Sequence, residues 1–284
     1  MNALNHAWTR AFDRLLGPLE NFGTTFALVV VSAMFGVLAL IAFKHLSAQR
    51  RIKAAKDRIK GHLIEIRIYQ DDLGIVGKAI GKLLARNFHY LGLNLMPFVP
   101  LSIPFAFVLA QLVVRYGYEP VRVHAASESV LPGKGTMIEV ELAPARAAEV
   151  AGLRVELPDG VRALSPLVRI PDEGRAYQEI AAVAPVVGEI QFVLGDGTRA
   201  TKSLAAGAPI GTMQPERAQG FFSALLWPAE DTLPDDSPFR RLRLEYPERS
   251  MAWLPDGPAG VLLAFLFVSM AAGLLALKPL KIEI

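Results

Sequence analysis

The 284-residue sequence contains no cysteine, which excludes disulfides, thiolate metal sites, iron–sulfur clusters and thiol nucleophiles. It also lacks the His-Glu-x-x-His and Gly-x-Ser-x-Gly motifs and a complete phosphate-binding loop. Its five histidines are scattered along the chain, and no two of them have the spacing of metal ligands. We therefore expect a protein that is not an enzyme and that holds no metal or cofactor.

Charged residues are missing from three long apolar stretches. These stretches cover residues 24–43, 90–114 and 259–277, which are 20, 25 and 19 residues long. A helix needs about 20 apolar residues to cross roughly 30 Å of hydrocarbon. The sequence therefore predicts three membrane spans. The first and third resemble plain lipid-facing helices, because they carry few polar side chains.

The charges between the spans predict the orientation of the chain. Segment 44–89 holds eleven Lys or Arg residues and four acids, whereas segment 115–257 holds fifteen and twenty. Short loops rich in Lys and Arg stay in the cytoplasm. We therefore expect a bacterial inner (plasma) membrane protein with its N-terminus outside and its C-terminus in the cytoplasm. The basic excess is a topology signal, and no pattern for nucleic-acid binding accompanies it.

The predicted fold is an α-helical three-span bundle with a cytoplasmic helical hairpin and an extracytoplasmic all-β domain, an immunoglobulin-like sandwich. The predicted segments are an interfacial amphipathic helix (1–23), a span (24–43), a cytoplasmic coiled-coil hairpin (44–89), a kinked span (90–115), the β-sandwich domain (116–250), an interface linker (251–258), a span (259–277) and a cytoplasmic tail (278–284).

The N-terminal segment has apolar residues at spacings of three and four, among them Trp8, Phe12 and Leu16. This pattern predicts one amphipathic helix. Such a helix either lies in the lipid headgroup layer, with Trp8 at the boundary, or packs on the protein's own outer domain. The sequence leaves both arrangements open.

The basic segment contains a heptad repeat at Ile52, Ile59 and Ile66. A seven-residue apolar repeat is typical of a coiled-coil seam. The pattern stops at residues 69–74, and a second amphipathic run follows. An antiparallel hairpin explains both runs, and two amphipathic helices lying on the anionic inner leaflet are the alternative.

The second span contains three prolines and three polar side chains. Each proline removes a backbone donor, so the helix is expected to be kinked or broken near its cytoplasmic side. The expected kink residues are Pro97, Pro100 and Pro104, and the polar residues are Asn94, Ser102 and Gln111.

The outer segment alternates short apolar–polar runs with turn residues, which is typical of an all-β sandwich. Asp196-Gly197 between two runs predicts a hairpin turn. A short apolar cluster at 221–227 is compatible with a helix that touches the membrane surface. The predicted strands are 121–124, 136–142, 153–157, 161–165, 178–183, 189–194, 199–204 and 242–246.

The order of these segments resembles the YidC/Oxa superfamily of membrane protein insertases. The resemblance covers residues 24–114 and 259–277, and it is carried by the topology, the isoleucine hairpin and the run LNLMPF at 93–98. In that family, three spans and a cytoplasmic coiled coil frame a groove that opens to the cytoplasm. The resemblance implies that the groove contacts client proteins through Asn94, Ser102 and Gln111.

Two functions are compatible with these observations. The first is insertase-like or membrane-chaperone activity, in which a polar groove and the coiled coil receive nascent or client membrane proteins or a ribosome. The alternative is a non-catalytic subunit or assembly factor of an envelope membrane complex, which binds an envelope protein through its outer β domain. A transmembrane signalling protein is a third possibility, for which the sequence indicates no ligand.

Overall fold

A computed structural model of the chain describes residues 2–47, 49–125, 130–207, 211–251 and 253–280. Residues 281–284 of the predicted tail lie outside this description. The described residues form seven α-helices and nine β-strands. The helices are α1 (Asn2–Glu20), α2 (Thr24–Leu46), α3 (Gln49–Ile68), α4 (Leu73–Leu95), α5 (Phe98–Tyr116), α6 (Phe221–Leu226) and α7 (Gly257–Leu280).

The chain divides into two compact units. One comprises Met1–Val29 and Ala106–Phe265, and the other comprises Val30–Phe105 and Leu266–Ile284. Three helical stretches are long and apolar enough to cross a membrane: α2, residues Val76–Tyr116, and α7. The chain therefore has the architecture of a multi-pass membrane protein, as the three charge-free stretches predict.

The second of these stretches is two helices, because α4 and α5 are separated by a turn at Met96 and Pro97. Pro100 falls in the first turn of α5, where a missing N–H breaks no helical hydrogen bond. Pro104 lies inside α5 and removes one backbone bond there. The 19 residues of α5 extend over about 28 Å, close to the thickness of the hydrocarbon core.

Helices α3 and α4 form a helical hairpin, in which they pack against each other on either side of a turn at residues 69–72. Ile52 is buried, and Ile59 and Ile66 are partly buried. Ala79 of α4 is fully buried. The heptad isoleucines therefore lie on the shielded side of α3, as a seam requires.

The β domain consists of two antiparallel sheets. One has the strand order β3-β5-β1-β9-β8, with β4 also paired to β5, and the other has the order β2-β6-β7. The strands are β1 (Thr136–Leu142), β2 (Arg154–Glu156), β3 (Val161–Ala163), β4 (Val168–Ile170), β5 (Arg175–Ala182), β6 (Val186–Val193), β7 (Arg199–Ala206), β8 (Glu216–Ala218) and β9 (Phe239–Leu244).

One apolar core joins the two sheets. Ile138 and Val140 of β1 contribute to it from the larger sheet, and Ile190 and Phe192 of β6 contribute from the smaller one. Alternate residues of β1 point outward, since side chains along a strand alternate between faces. The architecture is thus a β-sandwich.

The predicted strand at 121–124 does not form. Its residues make two isolated bridges instead, one from Val121 to Ala206 at the end of β7 and one from Val123 to Ala182 at the end of β5. The segment passes from one sheet to the other, so neither sheet gives it a continuous ladder. The sequence also missed β4 and β8, which have three residues each and are too short for a periodic signal.

A charged side chain is buried inside the β domain. Lys202 of β7 has a relative exposure of 1%, and its Nζ donates to the Glu230 carboxylate at 2.6 Å and to the carbonyl of Gln214. The side-chain oxygen of Gln214 accepts the backbone N–H groups of Ala229 and Glu230. This network connects the loop before α6 with the loop after it.

Helix α1 is held against α5 by a second ion-pair network. The Arg115 guanidinium donates to Glu20 Oε1 and to Asp13 Oδ1, each at 2.6 Å. The Tyr116 hydroxyl donates to the same Glu20 oxygen at 2.9 Å. Phe12 is buried on the same helix. These contacts hold α1 on α5 within the first unit.

Replacing Arg115 with methionine should release α1. The change leaves the partly shielded Glu20 carboxylate without its cation, and breaking such a pair costs about 3 kcal/mol. Cleavage within α1 of the detergent-purified protein by proteinase K, which does not require a basic residue, is then expected to be about a hundredfold faster. The matched control is Arg14→Met, since Arg14 is exposed on the same helix. Equal cleavage of the two variants would contradict the anchoring role.

Candidate functional site: an apolar cavity among the apolar helices

A cavity of about 580 Å³ lies within the second unit, between α2, α5 and α7. None of its lining side chains is ionisable. The lining residues are Phe35, Gly36, Ala39, Leu40, Phe43, Asn94, Phe98, Leu101, Ser102, Phe105, Leu266, Ser269, Met270, Gly273, Leu274 and Leu277.

Two aromatic pairs connect α2 with α5 along this cavity. The rings of Phe35 and Phe105 lie 6.0 Å apart in an edge-to-face arrangement, and those of Phe43 and Phe98 lie 5.6 Å apart. Such pairs contribute about 0.5–1.5 kcal/mol beyond the burial of their surface. They keep the two helices at a fixed distance while the space beside them stays open.

Helices α2 and α7 approach each other at Gly36. A Cβ atom at this position would lie 2.0 Å from the carbonyl oxygen of Ser269. Gly273 is nearby, since a Cβ there would lie 3.5 Å from the Gly36 oxygen. Small residues allow spanning helices to pack this closely. The cavity therefore has one wall in which helix backbones touch.

Two of the three predicted groove residues, Asn94 and Ser102, line the cavity. The Asn94 amide donates to the carbonyl of Tyr90, and the Ser102 hydroxyl donates to that of Val99, both at 2.7 Å. Ser269 likewise donates to Leu266 of its own helix. Since these donors bond the backbone of their own helices, the cavity presents an apolar surface rather than the expected polar one.

Gln111 does not line the cavity. It belongs to the first unit, whereas all the lining residues belong to the second. Its side chain is buried, and its Nε2 donates to the Thr9 hydroxyl of α1 at 2.9 Å. The amide of Gln111 thus helps to hold α1 in place through this hydrogen bond.

The first and third spans supply most of the lining. The sequence carried a weak signal for this, namely Gly36 in the first span and Ser269 and Gly273 in the third. Small residues four apart mark close helix approach in membranes. Which helix they approach could not be deduced from one sequence. In the part of the chain that the structure describes, no cluster of metal-binding side chains occurs.

The fold and this cavity define a multi-pass membrane protein that carries a β-sandwich domain and a helical hairpin. Comparisons with known proteins identify no relative, since no family model, no curated protein and no solved structure matches the chain.

Proposed function

We propose that the protein is insertase-like or a membrane chaperone, and that its cavity accommodates an apolar segment of a client membrane protein. The observation that carries the proposal is the uncharged cavity between α2, α5 and α7, about 580 Å³ in volume. Ligand sites in proteins have volumes of about 300–1,000 Å³ and are mostly apolar. This space suits several apolar side chains of a client helix.

The proposal takes its orientation from the charges. The hairpin of α3 and α4 belongs to the segment with eleven basic residues, which favours the cytoplasmic side of a bacterial inner membrane. There it would receive nascent membrane proteins or a ribosome. The β domain would then be extracytoplasmic, with an immunoglobulin-like connectivity as part of the proposal. The order of segments, which resembles the YidC/Oxa superfamily, supports this arrangement.

Site-specific crosslinking tests the proposal, because the chain contains no native cysteine. Ser102→Cys places a thiol in the cavity lining, and Ile103→Cys places one on the neighbouring exposed position, which is not part of the lining. Ribosome-bound chains with one cysteine in a transmembrane segment serve as clients. We expect Ser102→Cys to give several times the crosslinked product of Ile103→Cys. Equal yields would show that clients do not occupy the cavity.

The second candidate function is a subunit or assembly factor that binds an envelope protein. It is favoured by α6, on which Phe221 and Phe222 are 58% and 75% exposed. Large exposed apolar side chains often mark an interaction surface. Purification in mild detergent distinguishes the two functions. A single partner in stoichiometric amount supports the subunit, and transient contact with many clients supports the chaperone.

A further inference from the structure

One face of α4 carries an exposed row of large apolar side chains. The spacings in the row are four, four, three and four residues, which keep its members on one side of a helix. Their exposed fractions lie between 44% and 74%. The face toward α3 is a different one, since it contains the fully buried Ala79. The apolar row consists of Ile80, Leu84, Phe88, Leu91 and Leu95.

Helix α3 carries an exposed basic row at Lys53, Lys56, Lys60 and Arg67. At 100° per residue, this row lies about 100° around α3 from its buried seam, and the apolar row lies about 140° around α4 from Ala79, in the same sense. In an antiparallel pair, rotations in the same sense from the shared seam lead to the same side. The basic row and the apolar row therefore share one face of the hairpin.

An ion pair between the helices identifies the opposite face. Glu65 lies about 110° from the α3 seam and Lys82 about 60° from Ala79, both in the other sense, and their side chains approach to 3.9 Å. This contact shows that residues rotated in the same sense from the seam meet on one side of the hairpin. It supports the placement of the two rows on the other side.

The length of α5 indicates what this face meets. The length of α5 is close to the thickness of the hydrocarbon core, so α4 is not needed to cross the bilayer. The apolar row of α4 begins where this span ends. The row is followed along the chain by Val99, which is also exposed on the spanning helix. A helix surface that is continuous with lipid-facing side chains, and that has a basic row beside it, has the composition of an interfacial membrane surface.

The geometry points to docking of this face on an anionic lipid surface. The apolar row enters the boundary between headgroups and acyl chains, and the four basic side chains contact the lipid phosphates. The hairpin then lies along the membrane and exposes the Glu65–Lys82 face to water. This inference is independent of whether the cavity receives clients.

Fluorescence quenching on the purified full-length protein in lipid nanodiscs tests the inference. An environment-sensitive dye is attached at Phe88→Cys on the docking face or at Lys82→Cys on the opposite face. In phosphatidylcholine with about one-third phosphatidylglycerol, we expect aqueous iodide to quench the Phe88 dye at least fivefold more slowly than the Lys82 dye. Changing the four basic residues to glutamine should lower the docked-to-free ratio about fivefold per residue.

Two results would overturn the inference. Equal quenching at the two positions in anionic nanodiscs would show that the apolar row does not enter the lipid, and would instead indicate a protein partner. Protection of the Phe88 dye that is the same in pure phosphatidylcholine, and that depends on protein concentration, would assign the row to a second copy of the chain. Exposed side chains carry all of these changes, so the fold is expected to persist, and circular dichroism checks this.

Discussion

Replacing Gly36 with leucine is expected to separate α2 from α7 and to destroy the cavity between them. Even the first carbon of the new side chain would lie 2.0 Å from the Ser269 carbonyl oxygen. The backbones would have to move apart by roughly 1.5 Å to restore an ordinary contact distance. Backbone atoms cannot swing away as a flexible side chain can, so the whole interface must open.

The expected result is a fall of roughly 10 °C in the thermal unfolding midpoint of the detergent-solubilised protein, because overpacking costs several kcal/mol. Gly92→Leu is the matched control. It introduces the same side chain at a helical glycine of α4 where a Cβ meets no atom within 4 Å. Gly36→Ala should give a smaller loss in the same direction.

The same variant separates packing from function. In a Ser102→Cys background, Gly36→Leu should also remove the client crosslink, while Gly92→Leu should retain it. Unchanged melting of Gly36→Leu would mean that α2 and α7 do not touch at this glycine, and the described cavity wall would then be wrong.

The second large effect is expected at the buried ion pair of the β domain. Removing one charge, by Lys202→Met or Glu230→Gln, leaves the other charged group buried without its counter-charge. Breaking a buried pair in this way costs about 3–5 kcal/mol. Urea unfolding, followed by circular dichroism, should show this loss in each single variant.

The double variant, Lys202→Met with Glu230→Gln, should be more stable than the two single losses predict. Once one charge is absent, removing the other relieves a burial cost, and the coupling should be at least about 2 kcal/mol. The control is Arg175→Met, whose exposed pair with Glu173 is 3.5 Å long and should contribute under about 1 kcal/mol. Additive single losses would contradict the described network.

The pair also predicts a pH dependence. Burial raises the pKa of Glu230 above 4.5 and lowers the pKa of Lys202 below 10.5. The stability contributed by Glu230 is present below pH 4.5 and is lost as the pH rises through its folded pKa. The stability contributed by Lys202 is present above pH 10.5 and is lost as the pH falls through the pKa of Lys202 in the folded protein. The difference in unfolding free energy between the unchanged protein and the double variant should therefore change as the pH passes through each of these two ranges.

Local patterns predicted much of the fold. The heptad isoleucines led to the hairpin, the alternation in residues 136–142 led to β1 with the same bounds, and Asp196-Gly197 led to the β6–β7 turn. Each of these signals lies within a few neighbouring residues, and the periods of helix and strand are local properties. Pro97 likewise predicted a break in the helix, and the structure has this break between α4 and α5.

The sequence by itself determined the three apolar stretches, the hairpin and most of the strands, because each depends on the order of nearby side chains. Only the tertiary structure decided that Gly36 meets Ser269, that Arg115 pairs with Glu20, and that Lys202 is buried with Glu230. These partners are separated by long stretches of chain, and no local period records which distant residue a side chain will meet. The same reason explains why Asn94 and Ser102 share a cavity while Gln111, on the same predicted span, binds a different helix.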